Sequence, residues 1–248
     1  MSEARLGPNS RDPLGIVSGS GFDLIGVFDD VDDSTMFSEY FDLPRTMLSG
    51  HARTFTRGSV GERPVILQTG RLHFYEGFDY KTVVKPVDLL AEWGVTTILF
   101  TNAAGGLLPG LRPGDLVAVD TIETWPFIHW PERPARLETH FLIPGCDCTG
   151  TYFWMHGPAY ETPAEIRTLQ ALGATVVGMS TAPEVQRCRE LGIRAAVISC
   201  VTNNCCRQES LTHEEVLRVA GRASDRLRAV LKRAMCGEEE GELDRSRR

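Results

Sequence analysis

Between Gln68 and Gly77 the chain reads QTGRLHFYEG, which sets a guanidinium (Arg71), an imidazole (His73) and a phenol (Tyr75) on alternate positions after an apolar run. On an extended backbone this spacing turns Arg71, His73 and Tyr75 to one face and Leu72 and Phe74 to the other. A planar guanidinium can meet two oxygens of an oxyanion at once, and an imidazole beside it adds a further donor. The chemistry on offer is capture of phosphate or a similar anion. The bland alternative is an exposed strand face solvating its charges, with Glu76 as a neighbouring counter-ion.

Other stretches repeat the plan of an apolar run that ends in small or hydrogen-bonding residues. GIVSGSGF ends in Gly19-Ser20-Gly21, where glycines let backbone N–H groups approach an anion and a hydroxyl adds a donor. It is no dinucleotide fingerprint, because Gly26 comes too late for G-x-G-x-x-G. ILFTNAAGGLLPG runs Ile98–Phe100 into Thr101-Asn102-Ala103-Ala104-Gly105-Gly106, a loop of small side chains that exposes its backbone. GPAYETPAEI offers Tyr160 as a cover for a planar ring and Glu161 as an acceptor-only reader of ring N–H groups. VVGMSTAPEV exits into Met179-Ser180-Thr181 before a helix, and CVTNNCC places Asn203 and Asn204 at another exit. Each has a structural reading too: a turn, a tight strand exit, a helix entry with Glu161 near the cap, asparagines in a turn, His213 as a solvated helix start. Five such exits in one chain are hard to explain by packing alone.

The elements that must position them alternate. Strands are predicted near 15–18, 63–68, 96–101, 115–120, 151–155, 175–177 and 195–201. Helices are predicted near 81–93, 163–172, 182–191 and 212–235, the last with Thr212 as N-cap and Glu214 and Glu215 in its first turn. This alternation implies a single α/β domain with a central mixed, mostly parallel β-sheet flanked by helices, whose ligands sit beyond the strands' carboxyl ends. The domain is expected over 14–236, with a flexible N-terminus (1–13) and a disordered charged tail (237–248).

At 248 residues and 42% hydrophobic content the chain can bury a large core. A net charge of −7 argues against a general nucleic-acid or anionic-membrane surface. No apolar run approaches the roughly 18 residues of a membrane span, and the first residues are too polar for a signal peptide. Seven cysteines, an odd number, point to reduced thiols in a cytoplasm. Cys146-x-Cys148 and Cys205-Cys206 could attract a soft metal, but neither repeats with histidine at zinc spacing, so no metal site is expected.

Taken in order, GSG, GH, GRLHFYEG, TNAAGG, GPAYET, GMSTAPEV, TN and LTHEEVL closely resemble the trimeric purine nucleoside phosphorylases and their methylthioadenosine phosphorylase relatives. The resemblance runs from about Leu14 to Met235, except between about Thr121 and His156. It implies reversible phosphorolysis of a purine nucleoside to free base and pentose 1-phosphate, with inorganic phosphate as co-substrate, no cofactor, and a homotrimer. By that resemblance phosphate lies among Ser20, His51, Arg71, His73, the backbone N–H of Ala103, and Ser180. Asn203 binds the base at N7 and O6, and Glu161 takes the N1–H side. Tyr160 packs on base and sugar, Tyr75 and Met179 touch the ribose, and His213 lies near the 5′-hydroxyl. Asn203 and His213 favour inosine and guanosine over adenosine or methylthioadenosine, and Asn204 is the alternative to Asn203 in a register shifted by one.

The stretch from 122 to 154 is shorter than in the family. Trp125, Phe127 and Trp130 are its candidate aromatic cover. NCCRQES replaces a small, Gly-containing lid. A phosphorylase for a modified or 5′-substituted nucleoside and a non-catalytic nucleoside-binding relative are the alternative readings.

Overall fold

A computed structural model describes residues 12–42, 53–124, 136–206 and 213–236. In chain order the regular elements are β1 (Leu14–Ser18), β2 (Asp30–Met36), β3 (Thr54–Val60), β4 (Arg63–Thr69), α1 (Tyr80–Glu92), β5 (Thr97–Gly106) and β6 (Leu116–Thr124). They continue with β7 (Arg136–Glu138), β8 (Cys148–Trp154), α2 (Pro163–Ala171), β9 (Val176–Gly178), α3 (Ala182–Leu191), β10 (Arg194–Asn204) and α4 (His213–Cys236).

The strands run β10-β6-β8-β9-β5-β1-β4-β3-β2, with β7 on β6, and a direct β10–β5 ladder closes the first five into a ring. The sheet is mixed as the sequence implies, although among the described residues the parallel share is half. β1–β4, β1–β5, β5–β10, β6–β8 and β8–β9 are parallel, and the other five pairings are antiparallel. The antiparallel share comes from β2 and β7, which lack the apolar signature of buried strands, from β3, from the short β9, and from β6 against β10. β2, DVDDSTM, is almost wholly exposed and exists as an edge strand because β3 pairs with it.

Continuous apolar runs in β1, β5 and β10 are buried on both faces, as central parallel strands must be. One core holds Val17, Ile98, Phe100, Trp154 and the inner face of α1 and α3. The other holds Ile16, Leu67, Leu99, Ile198 and the inner face of α4. Helix starts are set by side chains: Asp79 Oδ1 accepts from Thr82 N at 2.8 Å to open α1, and Thr162 and Glu165 cap each other at α2. Among the described residues no helix is long and apolar enough to cross a membrane.

Three expectations change. TNAAGG is not a loop after the strand: β5 continues through Gly106, because β10 pairs with it all along, from Arg194↔Thr97 to Asn204↔Gly106. β10 likewise runs past Val201 to Asn204, with a register shift between Val201 and Asn203 that leaves Thr202 as the extra residue of a bulge. The alternation after β4 holds only from Arg71 to His73. Tyr75 lies in a 3-10 turn, Phe74–Glu76, closed by Gly77 at φ 89° and held by Glu76, whose carboxylate accepts from the His73 backbone N–H at 3.0 Å.

Candidate active site

The strand ends and the start of α4 surround one cavity of about 790 Å³. Ser20, Arg71, His73, Tyr75, Ala103, Tyr160, Glu161, Met179, Ser180 and Asn203 all line it, so ten of the twelve predicted site residues converge. His51 lies outside the described residues, as do Thr212, Trp125, Phe127 and Trp130. His213 opens α4 and its side chain falls outside the description.

Arg71 and His73 are carried out of β4 by Gly70, with Leu72 between them locked in the core at 3% exposure. The Arg71 guanidinium is buried and nearly saturated. Nε donates to both oxygens of Glu184 at 2.9 and 3.2 Å, and Nη1 donates to the Thr101 carbonyl at 2.8 Å. Nη2 is buried and has no partner among the described residues. A buried, unsatisfied guanidinium N–H is costly, and an anion in the cavity would satisfy it.

His73 stacks on Tyr75, ring centroids 4.6 Å apart and 16° from parallel. Its Nδ1 lies 3.0 Å from Glu76 Oε1, and the far oxygen of Glu76 takes a charged hydrogen bond from Arg53. Burial would raise the Glu76 carboxyl, but the bonds from His73 and Arg53 outweigh it and hold it below the usual range. An ionised Glu76 accepts only, so the proton of this bond is carried by His73 Nδ1. Burial, then the nearby Glu76 charge, pushes the Tyr75 phenol up to about 12, which keeps it a neutral donor.

The β5 edge supplies backbone. β1 pairs with β5 only as far as Phe100, and β9 joins only at Gly105, so residues 101–104 have no strand neighbour on that side. Ala103 lies in this gap. Gly19 closes on it, its N–H donating to Thr101 Oγ1 at 3.2 Å, and a Cβ at Gly19 would stand 2.8 Å from Asn102 Cα. Across the cavity the Ser180 backbone N–H donates to a side chain, Tyr152 Oη, at 3.2 Å. Thr181 follows at φ 74° and ψ −46°, an unusual place for a β-branched residue.

At the other end of the cavity the bulge in β10 separates the roles of the two asparagines. Asn204 Nδ2 donates to the Leu108, Pro109 and Leu111 carbonyls and its Oδ1 accepts from Cys206 N, so it ties down the 107–111 turn. Asn203 is held lightly: Oδ1 accepts from Thr202 Oγ1 at 3.1 Å and Nδ2 donates to Cys205 Sγ at 3.3 Å. Burial raises the Glu161 carboxyl, and burial followed by the Glu161 charge pushes the Cys205 thiol up to about 12. Tyr160, 44% exposed, stands at the mouth.

The phosphorylase superfamily model matches residues 13–128 and 148–235. The chain belongs to this superfamily and, within it, to the purine nucleoside phosphorylases. Purine nucleoside phosphorylase 1 of Geobacillus stearothermophilus is 33% identical over 88% of both chains. The Bos taurus purine nucleoside phosphorylase is 32% identical over 88% of this chain and 86% of its own. The Schistosoma mansoni isoform 2 enzyme, solved with cytosine and ribose-1-phosphate, superposes with a TM-score of 0.77 at 28% identity, covering 94% and 93% of the two chains. Residues 129–147, between the two matched segments, fall inside the stretch that departs from the family in sequence.

Sequence reasoning gave no individual role to four residues that support this phosphorylase site: Arg53 and Glu184, and Asn102 and Thr181, which it named only within their strand exits. Arg71 and Glu184 lie 113 positions apart and Asn102 and Thr181 lie 79 apart, so no local pattern could pair them. The one available signal was the glutamate inside GMSTAPEV, which reads equally as a helix-start carboxylate.

Proposed function

We propose that this phosphorylase transfers the pentosyl group of a 6-oxopurine nucleoside to inorganic phosphate, reversibly, with the catalytic domain spanning 14–236. The observation that carries the reading is Arg71 Nη2, a buried donor with no partner among the described residues, on a cavity that also holds Asn203 and Glu161. Phosphate takes that donor together with Ser20, His73, the Ala103 backbone N–H and Ser180, and His51 completes the set.

In the reaction the bond from the sugar's anomeric carbon to purine N9 breaks and a phosphate oxygen bonds to that carbon. Bond breaking runs ahead, leaving positive charge on the sugar and negative charge on the purine. Bound phosphate stabilises the first. Asn203 stabilises the second, its Oδ1 accepting from N7–H once N7 has taken a proton from water and its Nδ2 donating to O6. Glu161 accepts from N1–H. Tyr160 covers the base, while Tyr75, Met179 and His213 align the sugar, so positioning and preorganised donors do most of the catalysis. No covalent enzyme intermediate forms. The same reading takes the enzyme as a cytoplasmic homotrimer with sites near subunit boundaries, which the exposure of Tyr160 in the single chain supports.

The test is inosine cleavage with and without inorganic phosphate, with base and ribose 1-phosphate followed by chromatography. Turnover that requires phosphate is the expected result. Base release at the same rate without phosphate would overturn the proposal.

A further inference from the structure

Glu184 is a buried carboxylate, 3% exposed, in the first turn of α3, three residues after Thr181, and it touches nothing that the reaction transforms. Its two oxygens nonetheless serve both walls of the anion site. Both take the Arg71 Nε–H from the β4 exit, at 3.2 and 2.9 Å, and Oε2 also takes the Thr181 backbone N–H from the β9–α3 junction at 3.0 Å. Arg71 brings one wall and Ser180, beside Thr181, the other.

We propose that Glu184 is a positioning residue for phosphate: it fixes the guanidinium by Nε so that Nη2 is left for the anion, and it holds Ser180 opposite. The inference rests on the phosphorolysis reading and deepens it. The geometry excludes other ways of holding Arg71 as firmly. Nη1 is taken by the Thr101 carbonyl, and a single contact would leave the plane free to rotate about it. Two anchors on different nitrogens set the plane, and the third nitrogen then has one direction. A carboxylate this close to an anion repels it, so on charge alone Glu184 opposes binding. Its presence makes sense only if orientation outweighs that repulsion, as when a planar donor must be pre-aimed in a site that excludes water.

Two substitutions separate this role from simple capping of α3. Glu184→Gln keeps one acceptor but turns an amide N–H toward Arg71 Nε or the Thr181 N–H. Glu184→Asp keeps a carboxylate for the Thr181 N–H and falls one methylene short of Arg71. With the nucleoside saturating, both variants should raise the KM for phosphate by about tenfold to hundredfold, the weight of one buried charge-assisted hydrogen bond. The KM for inosine should stay at the wild-type value, and kcat should recover at high phosphate. Melting temperatures check that the variants are folded, and Glu184→Asp decides by the same split if Glu184→Gln does not fold. An unchanged phosphate KM in a folded variant, or equal rises in both KM values, overturns the role of Glu184. Phosphate-independent cleavage by the wild type would instead overturn the phosphorolysis reading beneath it.

Discussion

Asn102 Nδ2 donates to Thr181 Oγ1 over 3.0 Å, tying the open edge of β5 to the residue that precedes α3. Thr181 is fully buried at φ 74°, a conformation that costs a β-branched residue about 1–3 kcal/mol and persists only where its surroundings over-determine it. The hydroxyl bond and the Thr181 N–H to Glu184 are those surroundings. Thr181→Val keeps the shape and the strain but removes the acceptor, leaving the Asn102 amide with a buried unsatisfied donor. The variant should lose about 1–3 kcal/mol in urea unfolding. A midpoint equal to wild type would show that the bond does not hold the turn.

Arg71→Lys tests the fork itself. A lysine has one nitrogen where Arg71 uses Nε, Nη1 and Nη2 separately, so it cannot serve Glu184, the Thr101 carbonyl and an anion together. Phosphate kcat/KM should fall roughly a hundredfold or more, the equivalent of about 3 kcal/mol. Steady-state rates against phosphate concentration measure it, and a loss of less than threefold would remove Nη2 as the phosphate donor.

Arg71 and Thr181 mark the two ends of what the sequence made legible. Arg71 and His73 announced an anion site because their types and spacing carry the chemistry, and Leu72 between them had an apolar face to fill. Asn203 was legible in type, while its separation from Asn204 needed the β10 bulge, which depends on pairing with β5 across about a hundred residues. Thr181 and Glu184 were illegible for a different reason: positive φ and a bond to Arg71 are products of tertiary structure, and threonine and glutamate at a helix start look ordinary. β2 was invisible because an acidic edge strand has no apolar period and is defined by its neighbour.

Glu161 and Glu76 should respond to pH in opposite senses. Burial raises Glu161, so its contribution to stability is present below the ordinary value of 4.5 and is lost as pH rises through the folded-state value. Glu161→Gln should therefore melt with the wild type in acid and above it at neutral pH, while inosine kcat/KM falls by about tenfold to hundredfold. Glu76 is depressed, so its contribution is present above 4.5 and lost as pH falls through its folded value. Glu76→Gln should melt below the wild type at neutral pH, with the gap closing in acid. Calorimetry from pH 4 to 8 distinguishes the two; gaps that do not change with pH would contradict both assignments.

Asn203 and Asn204 differ by one position and should differ in kind. Among the described residues the Asn203 side chain hydrogen-bonds Thr202 and Cys205 and ties down no turn, so Asn203→Asp replaces a donor to O6 with an acceptor suited to an amino group. The ratio of inosine to adenosine kcat/KM should fall by about tenfold to hundredfold, the value of one mismatched buried hydrogen bond. Asn204→Ala strips three carbonyls and the Cys206 N–H of their partner. Its cost should appear as lost thermal stability, with the inosine to adenosine ratio held at the wild-type value. If Asn204→Ala shifts the ratio and Asn203→Asp does not, the base-reading register moves by one residue and the bulge has been assigned to the wrong asparagine.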